Sequence, residues 1–286
     1  MVNGLPPLTV MGCACLLTAC AVDRPASADR VNDVCMPAGA SRTLRELPEA
    51  SGVTLSRRTP GTLWSHNDSG APVVFALSTS GAVRGRVQVS NAAVHDWEDV
   101  TTGPCPAGNC LYIADIGDNN TARRTLTIYR VPEPLPGDGK TAPAERFTLR
   151  YPDGAHDAEA LFVTPDAGVF LITKGASATL YRAPEQLRTD APMTLDRVAD
   201  LPMKRVTDAD VSADGKWVAV RTNEEVAFYR TADLVNGRGE AVRVSLSALK
   251  EPQGEGVALA SDGTLYLVSE GGGGGRFNTM RCALPD

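Results

Sequence analysis

Short apolar runs recur along the chain, each closed by polar turn residues. "GTLWSHND", "CLYIADIGD", "GVFLITKG", "KWVAVRTN" and "TLYLVSEG" are too short for helices and nearly continuous in apolar character, the pattern of strands buried on both faces. Each is followed by a second strand: "PVVFALST", "LTIYRVPE", "ATLYRAPE", "EVAFYRTA" and "RFNTMRCA". In four of the five copies a third follows: "VRGRVQVS", "ERFTLRYP", "TLDRVADLP" and "AVRVSLSAL". Ahead of every set stands a strand that opens on acid: "LPEASGVTLS", "VHDWEDV", "AHDAEAL", "VTDADVS" and "PQGEGVALA". Aligned on Glu49, Glu98, Glu159, Asp210 and Glu255, the copies are 49, 61, 51 and 45 residues apart.

Four short strands at such a period predict an all-β fold, a five-bladed β-propeller over residues 36–286. A six-bladed ring with one degenerate blade is the alternative. The extra length of the second copy falls in "CPAGNC" and "PEPLPGDGKTAPAE". The fifth copy lacks its last strand, while "SRTLRELPE", Ser41 to Glu49, precedes the first copy and has no blade of its own. An N-terminal strand completing the last blade would hide the open sheet edge and close the ring.

Composition fits this reading. With 286 residues and 43% hydrophobic content the chain can bury a large core, and 27 glycines and 20 prolines serve many turns. A formal charge of −6 argues against a nucleic-acid partner, which needs a basic stripe. Residues 1–20, "MVNGLPPLTVMGCACLLTAC", carry no charge and predict an export signal. The closing Leu17-Thr18-Ala19-Cys20 resembles the lipobox of bacterial lipoprotein signals, with Cys20 as the acylated residue; the absence of Lys or Arg before the apolar run departs from that pattern, and a plain secretory signal is the alternative. Residues 21–35 read as a tether. The expected location is the outer face of the cell membrane, or secreted, with a small ligand or cell-surface protein as partner.

Setting aside Cys13 and Cys15 with the signal and Cys20 with the lipid leaves Cys35, Cys105, Cys110 and Cys282, which allow three pairings. Cys105–Cys110 within one hairpin and Cys35–Cys282 across the closure is the pairing that agrees with the ring.

In a propeller the first strand of each blade lines the central channel. Asp68, Asp96, Glu98, Asp157, Glu159, Asp208, Asp210, Glu255 and Glu270 are therefore expected at one channel mouth, with Lys174 and Arg221 as protein cations among them. Like charges gathered in this way call for compensation. "DIGDNN" adds hard oxygen donors on a turn, which suits calcium held by Asp96, Glu98, Asp99, Asp115 and Asp118. The competing expectation is that these side chains bond backbone amides and pair with Lys174 and Arg221.

"LWSHNDSG", "DWEDV", "LYIADIGDN", "DAEAL" with "LITKG", "VTDADVS" with "AVRT" and "QGEGVAL" with "SEG" together resemble a group of secreted bacterial β-propeller proteins loosely related to phytase-like propellers. The resemblance spans about residues 48–271. It implies the fold and, through the phytase-like enzymes, a calcium-lined mouth that binds phosphate esters; the few basic residues at this mouth depart from that picture. Three functional expectations follow. The first is a binding module using the acidic mouth. The second is a calcium-dependent hydrolase of phosphate esters or lactones, with His66 or His95 moving protons. The third is a metal-free enzyme with Glu159 or Asp210 as base and Lys174 or Arg221 as anion clamp. There is no G-x-S-x-G and no H-E-x-x-H, and "GGGGG" at 271–275 opens no helix that could cradle phosphate.

Overall fold

The computed structural model describes residues 1–4 and 34–285. Within the latter segment the chain forms five sheets of four or five strands arranged as a five-bladed β-propeller. The innermost strands are Ala50–Leu55, Trp97–Cys105, Ala158–Val163, Val206–Val211 and Gln253–Leu259, and they open blades 1 to 5 in chain order. Each blade then runs outward through antiparallel neighbours, as in Thr62–Asn67, Val73–Ser78 and Val83–Gln88 of blade 1. The five described sheets correct the six-bladed alternative: no copy is degenerate.

The apolar runs are continuous because each blade is packed on both faces. There is no single core. Five apolar layers lie one between each pair of adjacent blades, for instance Ile128 and Phe147 of blade 2 with Leu161 and Leu171 of blade 3. The layer that closes the ring joins Val53, Leu63 and Leu77 of blade 1 to Ala258, Val268 and Phe277 of blade 5.

Blade 5 is completed as expected, by the N-terminal segment, but in two pieces. Arg42–Leu44 pairs with Gly275 to Phe277, and Cys35–Pro37 pairs with Met280 to Cys282. The strand begins at Cys35, one residue ahead of the expected boundary. Both expected disulfides form, Cys35–Cys282 and Cys105–Cys110. Strand Gly275–Cys282 starts beside the channel mouth and ends at the far side of the ring, where the first of these bonds seals it. The Pro-Gly loop of blade 2 also has work: Gly139–Lys140 adds a parallel strand to Val87–Gln88, covering the outer edge of blade 1.

Residues 5–20 of the signal expected at 1–20, the acylated Cys20 and nearly all of the tether fall outside the described residues. Among those described, no helix is long and apolar enough to cross a membrane.

Because Cys35–Cys282 spans 247 residues, it removes far more unfolded-state freedom than Cys105–Cys110, which spans 5. Replacing Cys35 and Cys282 by serine is expected to lower unfolding free energy by about 2–5 kcal/mol. The Cys105/Cys110 pair should cost clearly less, and denaturant unfolding of both variants measures the difference.

Candidate functional site

Every innermost strand carries a β-bulge at the same point, one extra residue against its neighbour. The register shifts fall between Ala50 and Val53, Trp97 and Asp99, Ala158 and Ala160, Val206 and Asp208, and Gly254 and Val257. The equivalent bulged residues are thus Ser51, Glu98, Glu159, Thr207 and Glu255. A bulge re-aims a side chain, and here it divides the repeated acids into two groups with different surroundings.

The first group fills the axis. Asp99, Asp208 and Asp210 lie past the bulge, fully buried, and accept backbone N–H groups of other blades. Asp99 Oδ2 accepts from Leu161 of blade 3 at 2.7 Å. Asp208 Oδ2 accepts from Val257 of blade 5 at 2.6 Å and from Val53 of blade 1 at 3.4 Å. Asp210 accepts from Leu259 N–H at 2.8 Å and from the Thr54 hydroxyl at 3.2 Å. Asp208 and Asp210 are therefore not at the mouth, where the acidic cadence put them, because the residue equivalent to Glu159 is Thr207. Thr207 donates to the Glu255 carbonyl at 2.9 Å, as Ser51 does to the Glu98 carbonyl at 2.6 Å.

Burial dominates the ionisation of this group. It drives Asp99 well above the usual carboxylate range, with the charge of Asp208 adding to it. Asp208 is pushed up to about 8 and Asp210 to about 7, again chiefly by burial. The inner oxygens of Asp99 and Asp208 have no other hydrogen-bonding group, and the two carboxyls face each other, so one proton held on Asp99 and donated to Asp208 satisfies both.

The second group surrounds the mouth. Glu98, Glu159 and Glu255 project from three bulges, joined by Asp68, Asp96, Asp157 and Glu270. Lys174 is ion-paired with Glu159 and also faces Glu255 and Glu98. Glu98 faces Glu159, Asp96, Lys174 and Asp157. Burial, reinforced by these acids, pushes Glu98 up to about 11, while burial lifts Glu159 to about 8 against the opposing pull of Lys174. Glu270 rises to about 7 through burial and the charge of Glu255, and Asp68 to about 6 through burial and Glu49. The Glu255 carboxylate accepts from Gln253 at 2.7 Å. Glu98 is only 7% exposed and its carboxyl has no hydrogen bond or ion pair among the described residues.

Of three further expected groups, two stand elsewhere, and His95 sits beside Asp96 with its backbone N–H donating to Asp115 Oδ2 at 3.1 Å. Arg221 is fully buried between blades 4 and 5, paired with Glu251 and donating to the carbonyls of Gly256 and Val268, so it clamps backbone rather than a ligand. His66 is fully buried: Nε2 accepts from the Gly52 N–H at 3.3 Å and Nδ1–H donates to the Asn67 carbonyl at 3.0 Å. Burial lowers its pKa to about 4, which favours the neutral ring. The His95 ring is exposed.

The five expected calcium ligands are also divided. Asp99 belongs to the axis. Asp118 accepts the N–H groups of Ala122 at 2.9 Å and Arg123 at 2.7 Å, and Asp115 pairs with the Arg123 guanidinium at 2.8 Å. Arg123 also holds the Gly117 carbonyl, so this guanidinium organises "DIGDNN". Among the described residues no three His, Cys, Asp or Glu side chains converge as a metal-binding group. Sequence reasoning missed Arg123 and Glu251; the only signal for either was a cation or acid a few residues from a motif.

No protein-family profile matches the chain, and no curated protein matches it in sequence. Among solved structures it is similar to the PQQ-bound aldose sugar dehydrogenase of Streptomyces coelicolor, at 12% identity, over 87% of this chain and 100% of that one, with a TM-score of 0.51. It also matches a glucose dehydrogenase at 9% identity, over 86% and 100%, TM-score 0.49. A gluconolactonase from Xanthomonas campestris matches at 11% identity, over 77% and 68%, TM-score 0.43. At such identities the first of these likenesses shows the propeller fold alone.

The axial carboxyls bind more protons folded than unfolded, since Asp208 and Asp210 at about 8 and about 7 compare with 3.8 unfolded. Their contribution to stability is fully present below the unfolded value and is lost as pH rises through about 7 and 8. Denaturant midpoints are expected to fall from about pH 4 to about pH 8 and to level off above it. Asp99→Asn keeps a donor toward Asp208 and an acceptor for Leu161, so it should cost under about 1 kcal/mol and Asp99→Ala about 2–4 kcal/mol.

Proposed function

We propose that this chain is an exported ligand-binding propeller that captures a cationic group at its acidic mouth. The observation that carries the reading is Glu98, a nearly buried carboxyl set among other acids with no hydrogen bond or ion pair among the described residues. A buried carboxyl left unpaired is costly, and natural proteins keep such groups where something binds. Lys174 balances Glu159, yet Asp68, Asp96, Asp157, Glu255 and Glu270 leave the mouth in excess of negative charge. An incoming cation relieves what the protein leaves uncompensated.

Export is supported by the two disulfides, which persist in oxidising compartments. Calcium is one cation the mouth could take, and hydrolysis of phosphate esters or lactones is the activity to test beside binding.

The test is thermal unfolding of the full chain with calcium, magnesium and organic amines at constant ionic strength. A bound cation at a hundredfold excess over its Kd is expected to raise Tm by about 5–10 °C. Glu98→Gln removes the need to bury an acid, so the variant should melt above wild type without ligand and lose the cation-dependent rise. A cation response equal in wild type and Glu98→Gln, or none in either, rejects the reading. Turnover of a phosphate-ester or lactone panel, lost in Glu98→Gln, would replace capture by catalysis.

A further inference from the structure

Glu98 and Glu159 are the bulged residues of adjacent blades, and the molecule shows what one of them accepts. At Glu159 the partner is a primary ammonium, that of Lys174, which follows the second strand of its own blade. The residue that follows the second strand of blade 2 is Ile116, turned into the apolar layer between blades 2 and 3. Blade 2 thus keeps the acceptor and lacks the donor. The place left is bounded by backbone: a Cβ on Gly117 would collide with Glu98 Oε1 and Asp96 Oδ2, so this glycine lets the chain pass directly over both carboxyls. Asp157, which also faces Glu98, uses Oδ1 to accept the Asp118 N–H at 2.8 Å and makes no side-chain bond at Oδ2 among the described residues.

We infer that the place over Glu98, edged by Asp96, Asp157 and Gly117, is a socket for a primary alkylammonium group, the free-ligand counterpart of Lys174 on Glu159. This deepens the cation-capture reading and rests on it. An ammonium brings three N–H donors in a tetrahedral arrangement and takes single oxygens one at a time. Calcium wants six to eight oxygens, many from multiple carboxylates, and here Asp115 and Asp118 are already committed to Arg123 and to backbone amides. A guanidinium is planar and wants a two-pronged partner, whereas Glu98 presents its Oε1 edge against Gly117.

The experiment is calorimetric titration of the full chain with 1,4-diaminobutane, tetramethylammonium and calcium at one ionic strength. The expected result is saturable binding of the diamine at one site per chain, with tetramethylammonium, which has charge but no N–H, at least tenfold weaker. Glu98→Gln and Gly117→Ala should each weaken the diamine by about tenfold or more, the first by removing the acceptor's charge and the second by pushing the Glu98 and Asp96 carboxyls out of place. Asp262→Asn, at an exposed pair with Arg281, should leave binding unchanged. Lys174→Met opens a second unpaired glutamate and should tighten diamine binding or add a second site. Melting curves of every variant identify a fold failure at Gly117→Ala, in which case Glu98→Gln and Lys174→Met decide. Diamine and tetramethylammonium binding equally, or diamine binding untouched by Glu98→Gln, overturns the socket. Calcium bound in a Glu98-dependent way with no diamine bound overturns the socket and keeps cation capture; no cation bound at all removes both.

Discussion

A propeller leaves the innermost edge of each sheet without a neighbouring strand, and the structure depends on how those edges are paired. Backbone N–H groups that face a dry axis need acceptors, since each unpaired one costs about as much as a lost buried hydrogen bond. Here side chains supply them. Asp99, Asp208 and Asp210 reach across to N–H groups of Leu161, Val257, Val53 and Leu259, while Thr54 Oγ1 accepts from Thr102 at 3.3 Å. The Val53 bond of Asp208 and the Thr54 bond of Asp210 skip a blade, from blade 4 to blade 1, so the ring is tied through its middle as well as around its rim. Ser51 and Thr207 add the same kind of tie by donating to the carbonyls of Glu98 and Glu255.

The bulge is what lets one repeated sequence feature serve two ends. A single extra residue shifts the alternation of side chains, so adjacent acids in "WED" diverge: Glu98 toward the mouth, Asp99 into the axis. In blades 1 and 4 the bulged position carries a hydroxyl that is used for bracing. In blades 2, 3 and 5 it carries a glutamate, whose carboxyl is turned to the mouth. The acids of the axis are held by proton sharing and amide bonds, and those of the mouth are left short of cations.

Much of the architecture was legible in the sequence. Five apolar strand sets, a fifth set short of its last strand and an orphan segment at residues 41–49 were enough to give blade count, closure and both disulfides, because burial on two faces and the need to hide sheet edges leave direct marks on residue order. Depth along the channel was not legible. Glu49 and Asp210 match the acidic cadence, yet the bulge residues are Ser51 and Thr207, since a one-residue offset changes which face a side chain takes without changing composition. His66 and Arg221 looked like mouth groups because they flank acids in the sequence; both are fully buried, bonded to backbone groups of the bulge regions. The role of Arg123 depends on a loop folding back over five residues, which strand periodicity does not encode. Glu133, buried under the Trp64 indole and the Arg58 N–H, lies in a loop that reads as spacer.

The Cys35–Cys282 bond also fixes a direction. It sits at the end of blade 5 remote from the bulges, so Val34, where the described propeller begins, lies on the face opposite the acidic one. The covalent seal of the ring and its glutamates thus stand on opposite faces, so closing the fold leaves the acidic face unobstructed.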